Sequence, residues 1–88
     1  MSPIRVLIVD DHEIVREGLQ ILLAEEAEFE VAGVTGDGAT ALTLVEQLNP
    51  DVILMDLVMP GLDGIETTQR ILKSNPVAHV LILTTFAD

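Results

Sequence analysis

Two stretches of this sequence carry an apolar run straight into acid. In "VLIVDD", Val6 to Val9 lead into Asp10 and Asp11, and in "DVILMDLVMPGLDG", Val52 to Met55 lead into Asp56. Carboxylates brought close together repel, and each then resists ionisation. A divalent cation relieves the repulsion. With only oxygen ligands on offer, Mg²⁺ or Ca²⁺ is the natural guest. Mg²⁺ keeps several waters and takes one or two carboxylates plus phosphate oxygens, so an open three-acid crevice suits it better than a closed calcium cage. A carboxylate beside Mg²⁺ can also act as a nucleophile toward phosphorus, giving an aspartyl phosphate. Asp56 fits that role: a strand end holds it rigidly, and the loop after it can wrap the incoming group.

Neighbouring residues have plainer readings. Asp11 could simply cap the first helix, with Glu13 favourable in its first turn. Asp63, in "LDGIE", reads as a helix cap, and Asp51 stands at the start of its strand, the wrong end for the crevice. Thr84 ends the fourth strand beside the crevice, where its hydroxyl could donate to a phosphoryl group; threonine is also common in strands for its own sake. His12 adjoins the acids, but without a second histidine nearby it argues little for a transition metal. "GDGATA", residues 36 to 41, matches the dinucleotide-binding pattern G-x-G-x-x-A, with Asp56 at nearly the expected distance. It follows the second strand instead of the first, so Gly36 and Gly38 read as turn glycines and Asp37 as a candidate cap.

The elements that must position these groups follow from periodicity. Ile4 to Val9 reads as a strand, and Glu13 to Leu23 as a helix with Val15, Leu19, Leu22 and Leu23 on one stripe. Phe29 to Val34 is a second strand. Ala39 to Leu48 is a second helix with Ala41, Leu42, Val45 and Leu48 on one face, stopped by Asn49 and Pro50. Val52 to Met55 is the third strand, Ile65 to Lys73 a third helix with a weak stripe, and Val80 to Leu83 the fourth strand. The alternation implies an α/β fold with a parallel sheet and helices on both faces. The second strand carries Glu30 and suits an edge. The others are nearly continuous apolar runs, which suit interior strands. A right-handed, doubly wound sheet then runs 2-1-3-4, with its crevice at the ends of strands 1 and 3. Asp10, Asp11 and Asp56 fall there.

The 88 residues make one domain, 1–88, with 49% hydrophobic residues and neither Trp nor Tyr, so its core is aliphatic. The absence of cysteine excludes disulfides and thiol chemistry and suits the cytoplasm. No signal segment or membrane-spanning run is apparent. A net charge of −11 argues against nucleic acid as a direct partner and favours cations or basic protein surfaces.

Taken together, "VLIVDDHEIVREGL", "GDGATAL", "PDVILMDLVMPGLDGIE" and "VLILTT" resemble the receiver domain of two-component response regulators. The acid pair followed by His12 and "VREGL" is most similar to the NarL/LuxR-type subfamily. The resemblance implies a flavodoxin-like fold and a set of roles. Asp56 matches the phosphoacceptor served by a sensor histidine kinase. Asp11 matches the direct Mg²⁺ ligand, and Asp10 the second acid. Val58 matches the position whose backbone carbonyl completes the metal site, and Thr84 the switch hydroxyl. It implies a phosphoacceptor signalling module with a transcription-regulating output, not an enzyme.

The family also has a fifth strand ending in a lysine, and two more helices. The one lysine here is Lys73, in the third helix, so those parts and the subfamily's DNA-binding domain are expected in a longer parent chain. As it stands, an apolar fourth strand at the sheet edge and an uncovered first helix lead us to expect that the chain is not a well-folded monomer, with homodimerisation as the second choice. Two rival functions have specific requirements. An aspartate-nucleophile phosphatase would want a second acid where Val58 stands. A dinucleotide-binding fragment would want glycines where Asp10 and Asp11 stand.

Overall fold

The computed structural model describes residues 2–59 and 61–83. Its elements alternate as β1 (Ile4–Val9), α1 (Glu13–Ala24), β2 (Phe29–Thr35), α2 (Gly38–Leu48), β3 (Val52–Asp56), α3 (Gly64–Ser74) and β4 (His79–Leu83). The strands form one parallel sheet in the order β2-β1-β3-β4. The doubly wound order expected from strand composition is therefore the observed one, with the Glu30-bearing β2 at one edge. Boundaries differ from the periodicity by at most one residue at either end, because caps and ladder bonds, not apolar patterning, set the ends. Asp56, for example, is still paired with Leu83 and belongs to β3.

The sheet alternates side chains between two faces. Leu7, Val9, Ile53 and Met55 point to one face and are fully buried there with Ala41 and Val45 of α2 and Ile71 of α3. Val6 and Ile8 point to the other face, over which α1 lies, packed on β1 and β2. α3 has a weak apolar stripe because its buried positions are Gly64, Thr67 and Ile71. Two of those are small or polar, and the Thr67 hydroxyl is satisfied by donating to Asp63 O at 2.6 Å.

Local chemistry ends the helices. Asp37 caps α2, accepting from the backbone N–H of Ala39 at 2.9 Å, and Asp63 caps α3, accepting from Glu66 N–H at 2.8 Å. Asn49 closes α2 in the left-handed region, at φ 47°, which asparagine tolerates better than most residues. Asp51 accepts from Arg5 N–H at 2.8 Å, at the far end of the sheet from the acids, as its place in the sequence implied.

α1 has no fully buried residue. The expected stripe is present, but Leu22 is 62% exposed, and Ile14 and Ile21 are more open still. β4 pairs with β3 alone among the described residues, leaving Leu81 57% exposed. Core and surface apolar residues should respond differently to truncation. Leu7→Ala should cost about 2–5 kcal/mol through the cavity it leaves. Ile14→Ala should stay within about 0.5 kcal/mol. Urea unfolding of the two variants checks this.

Candidate acidic site

Pairing register brings the acids together. Val9 pairs with Met55 across the β1–β3 ladder, so the next residue of each strand, Asp10 and Asp56, emerges side by side. Both are buried, at 0% and 1% exposure. Asp10 is pinned through its backbone: its N–H donates to Thr35 O at 3.0 Å, extending the β1–β2 ladder, and its carbonyl accepts from Arg16 Nη1 at 2.8 Å. Its carboxylate Oδ1 accepts from the His12 N–H at 2.8 Å. Asp56 Oδ1 accepts from the Val58 N–H at 3.1 Å. Behind Asp56 sits Gly64, so close that a Cβ there would overlap the Asp56 carbonyl oxygen. That glycine is required by close approach, not by backbone conformation.

The structure gathers Asp10, Asp11, His12 and Asp56, one ligand atom from each lying within 4.8 Å of the others. Asp11 does not cap α1; His12 occupies that position, and its side chain makes no cap bond. Instead the His12 ring turns to the acids, with Nδ1 2.9 Å from Asp10 Oδ1, 3.2 Å from Asp11 Oδ1 and 3.7 Å from Asp56 Oδ2. Reading the sequence without its fold missed this role. Its one signal was adjacency to the acids. Arg16 and Gly64 were missed too, because their tasks are contacts between elements, α1 back to the end of β1 and α3 back to β3. Val58 lies beside the cluster with its side chain 77% exposed and its N–H on Asp56. Thr84 lies outside the described residues. The "GDG" loop follows the edge strand β2, and Asp37 is engaged in capping.

Electrostatics follow the crowding. Burial raises the Asp56 carboxyl above the ordinary carboxylate range; the Val58 N–H works against this, and the charges of Asp10 and Asp11 add to it. His12 is raised by its hydrogen bond with Asp10 and then by the charge of Asp11. Asp10 Oδ2 and Asp56 Oδ2 are buried and have no hydrogen-bond partner among the described residues. Orphaned oxygens among crowded acids are what a hard divalent cation would satisfy, so these residues fit Mg²⁺.

Fold and site together define a class: a flavodoxin-like α/β module with an acidic crevice where its winding reverses. The chain belongs to the response regulator receiver domain family, whose model matches residues 6–88. It is 48% identical over 85 residues to the transcriptional regulatory protein LiaR of Bacillus subtilis, covering 97% of this chain and 40% of that protein. It is 46% identical over 87 residues to the transcriptional regulatory protein DegU of Brevibacillus brevis, covering 99% of this chain and 37% of that protein. A crystal structure of a LuxR-family two-component response regulator from Aurantimonas sp. SI85-9A1 superposes with a TM-score of 0.90 at 37% identity, over 98% of this chain and 61% of that one. The chain thus spans well under half the length of these two curated relatives.

Three outcomes follow from the site. A carboxyl raised in the fold contributes stability that is complete below its unfolded pKa and is lost as pH rises through the folded value. The raised histidine acts in the same direction, from its own ordinary value upward. Metal-free protein should therefore lose Tm as pH rises from about 4 through the raised Asp56 value. Asp56→Asn should weaken that loss and raise Tm at neutral pH by several degrees, which about 1 kcal/mol does to a domain of this size. Calorimetry across pH checks both. Gly64→Ala should cost about 1–3 kcal/mol by pushing α3 away from β3, read by denaturant unfolding.

Proposed function

We propose that residues 1–88 form a phosphoacceptor receiver unit in which Asp56 takes a phosphoryl group from a sensor histidine kinase. The observation that carries this is the buried, unpartnered Asp56 Oδ2, held in a crevice with two further acids. Its oxygen attacks the phosphorus of a phosphohistidine. The new P–O bond forms as the P–N bond breaks, and the bonding pair leaves with the imidazole nitrogen. Asp10, Asp11, Asp56 and the Val58 backbone carbonyl would hold Mg²⁺, which supplies charge neutralisation for phosphoryl oxygens when bound. The remaining tasks belong to the chain. β1 and β3 aim the acids, the Val58 N–H orients Asp56, Arg16 and Thr35 pin Asp10, and Gly64 seats α3 behind the nucleophile. Thr84 is assigned the switch hydroxyl that reports phosphorylation beyond β4.

Within this reading the unit acts in the cytoplasm and controls a transcription-regulating output carried elsewhere in a longer protein, by analogy with LiaR and DegU. The open β4 edge and α1 face would be covered by that longer chain or, second, by another copy of this one. No helix among the described residues is long and apolar enough to cross a membrane. A phosphatase is disfavoured by the apolar Val58 at the position for a second acid. A dinucleotide site is disfavoured by the edge position of the glycine loop.

Incubation with acetyl phosphate or phosphoramidate and Mg²⁺ should add one phosphoryl group at Asp56, located by mass spectrometry. Asp56→Asn should abolish it, since an amide is a poor nucleophile; a labelled Asp56→Asn protein would overturn the assignment. Asp11→Ala should weaken Mg²⁺ binding by at least about tenfold in a calorimetric titration.

A further inference from the structure

His12 belongs to the acid cluster, yet the phosphoacceptor reading assigns it no task. Its backbone N–H is fixed on Asp10 Oδ1 at 2.8 Å, which anchors the residue at the rim of the crevice. Its Nδ1 stands 2.9, 3.2 and 3.7 Å from oxygens of Asp10, Asp11 and Asp56. Ligand atoms at right angles about one ion, each about 2.1 Å from it, stand roughly 3.0 Å from one another. Two of the three separations, 2.9 and 3.2 Å, match that figure, so the ring nitrogen stands where another vertex of a shared coordination shell would lie beside Asp10 and Asp11. Asp56 Oδ2, in the same group, is buried and has no hydrogen-bond partner among the described residues, so the cluster presents an unsatisfied oxygen to whatever enters. Imidazole adds little for Mg²⁺, which prefers oxygen, but it suits first-row transition ions, whose affinity rises from Mn²⁺ toward Cu²⁺.

We propose that His12 ligates a divalent ion in this crevice through Nδ1, making a mixed nitrogen–oxygen site that favours Mn²⁺ and its heavier neighbours over Mg²⁺. The proposal rests on the reading above that the acids hold a divalent cation. In the ion-free site Nδ1–H donates to Asp10 Oδ1. The entering cation takes the place of that proton, so the ring binds in its neutral form with the remaining proton on Nε2 and the Nδ1 lone pair toward the ion. The half-exposed side chain lets Nε2–H donate to water. The carboxylates alone would not distinguish these ions strongly; the imidazole does.

Pulsed electron paramagnetic resonance of the 88-residue chain with Mn²⁺ tests this directly. A ¹⁴N coupling to the bound ion is expected, replaced by a ¹⁵N coupling when histidine alone is isotopically labelled. His12→Phe keeps the shape of a ring without its nitrogens and should abolish the coupling. The other histidine, His79, starts β4 opposite Val52 at the far end of the sheet, so it cannot supply the signal. Titrations should show Mn²⁺ affinity falling by roughly tenfold or more in His12→Phe, with a smaller fall for Mg²⁺. Mn²⁺ that binds and is weakened by Asp11→Ala, but shows no nitrogen coupling, overturns His12 ligation and leaves the phosphoacceptor reading standing. An equal fall for both ions overturns the selectivity. Failure of both ions to bind overturns the proposal and the metal site beneath it.

Discussion

The pairing of Val9 with Met55 in the β1–β3 ladder places two buried carboxylates side by side, and much of the rest of the molecule answers to that placement. Like charges out of water repel strongly, so such a pair persists only where the fold can sustain it. Here the surrounding strands are the most deeply buried in the chain, with Leu7, Val9, Ile53 and Met55 wholly inaccessible. Slipping either strand by one residue would turn Val9 or Met55 outward and draw Asp10 or Asp56 toward the core. The apolar alternation that builds the core thus also enforces the crowding of the acids.

Support for the acids comes from three neighbouring elements. β2 accepts the Asp10 N–H through Thr35, α1 sends Arg16 back to the Asp10 carbonyl, and α3 begins with a glycine pressed against Asp56. These contacts hold backbone, leaving the carboxylate oxygens largely uncommitted. Asp10 Oδ1 and Asp56 Oδ1 each take one backbone N–H, and the second oxygen of each has no hydrogen-bond partner among the described residues. A rigid frame around unsatisfied oxygens is the arrangement expected of a binding centre whose guest supplies the missing interactions. His12 partly fills that role, its raised pKa recording the attraction of the acids around it.

The two faces of the sheet are unequal. α2 and α3 share a continuous core with β1 and β3, whereas α1 buries none of its residues fully, and β4 has an open edge among the described residues. The hydrophobic cluster shared by strands and helices therefore lies on the α2–α3 face. Exposed apolar side chains on α1 and β4 have the composition of a contact surface. β4 pairs with the strand that carries Asp56, with Asp56 opposite Leu83.

Much of this was legible in the chain itself. Apolar runs of strand length alternating with helical stripes dictate a parallel α/β sheet, and the patchy "FEVAGV" marks the edge strand, because burial on two faces leaves no room for Glu30. Acids directly after two interior strands must meet at the switch point once that order is known. Asp37 and Asp63 announced their caps through purely local chemistry. What the tertiary structure alone decided are the contacts made across the fold. Asp11 reads as a crevice acid or as a cap until the chain is folded, and then His12 holds the cap position while Asp11 and the His12 ring join the acids. The need for Gly64 appears only when α3 docks on β3, and Arg16 meets Asp10 only after α1 folds back over the sheet. Periodicity and capping are properties of a few consecutive residues. The direction of a side chain at a crevice is set by how several elements dock together, and periodicity within one element does not encode it.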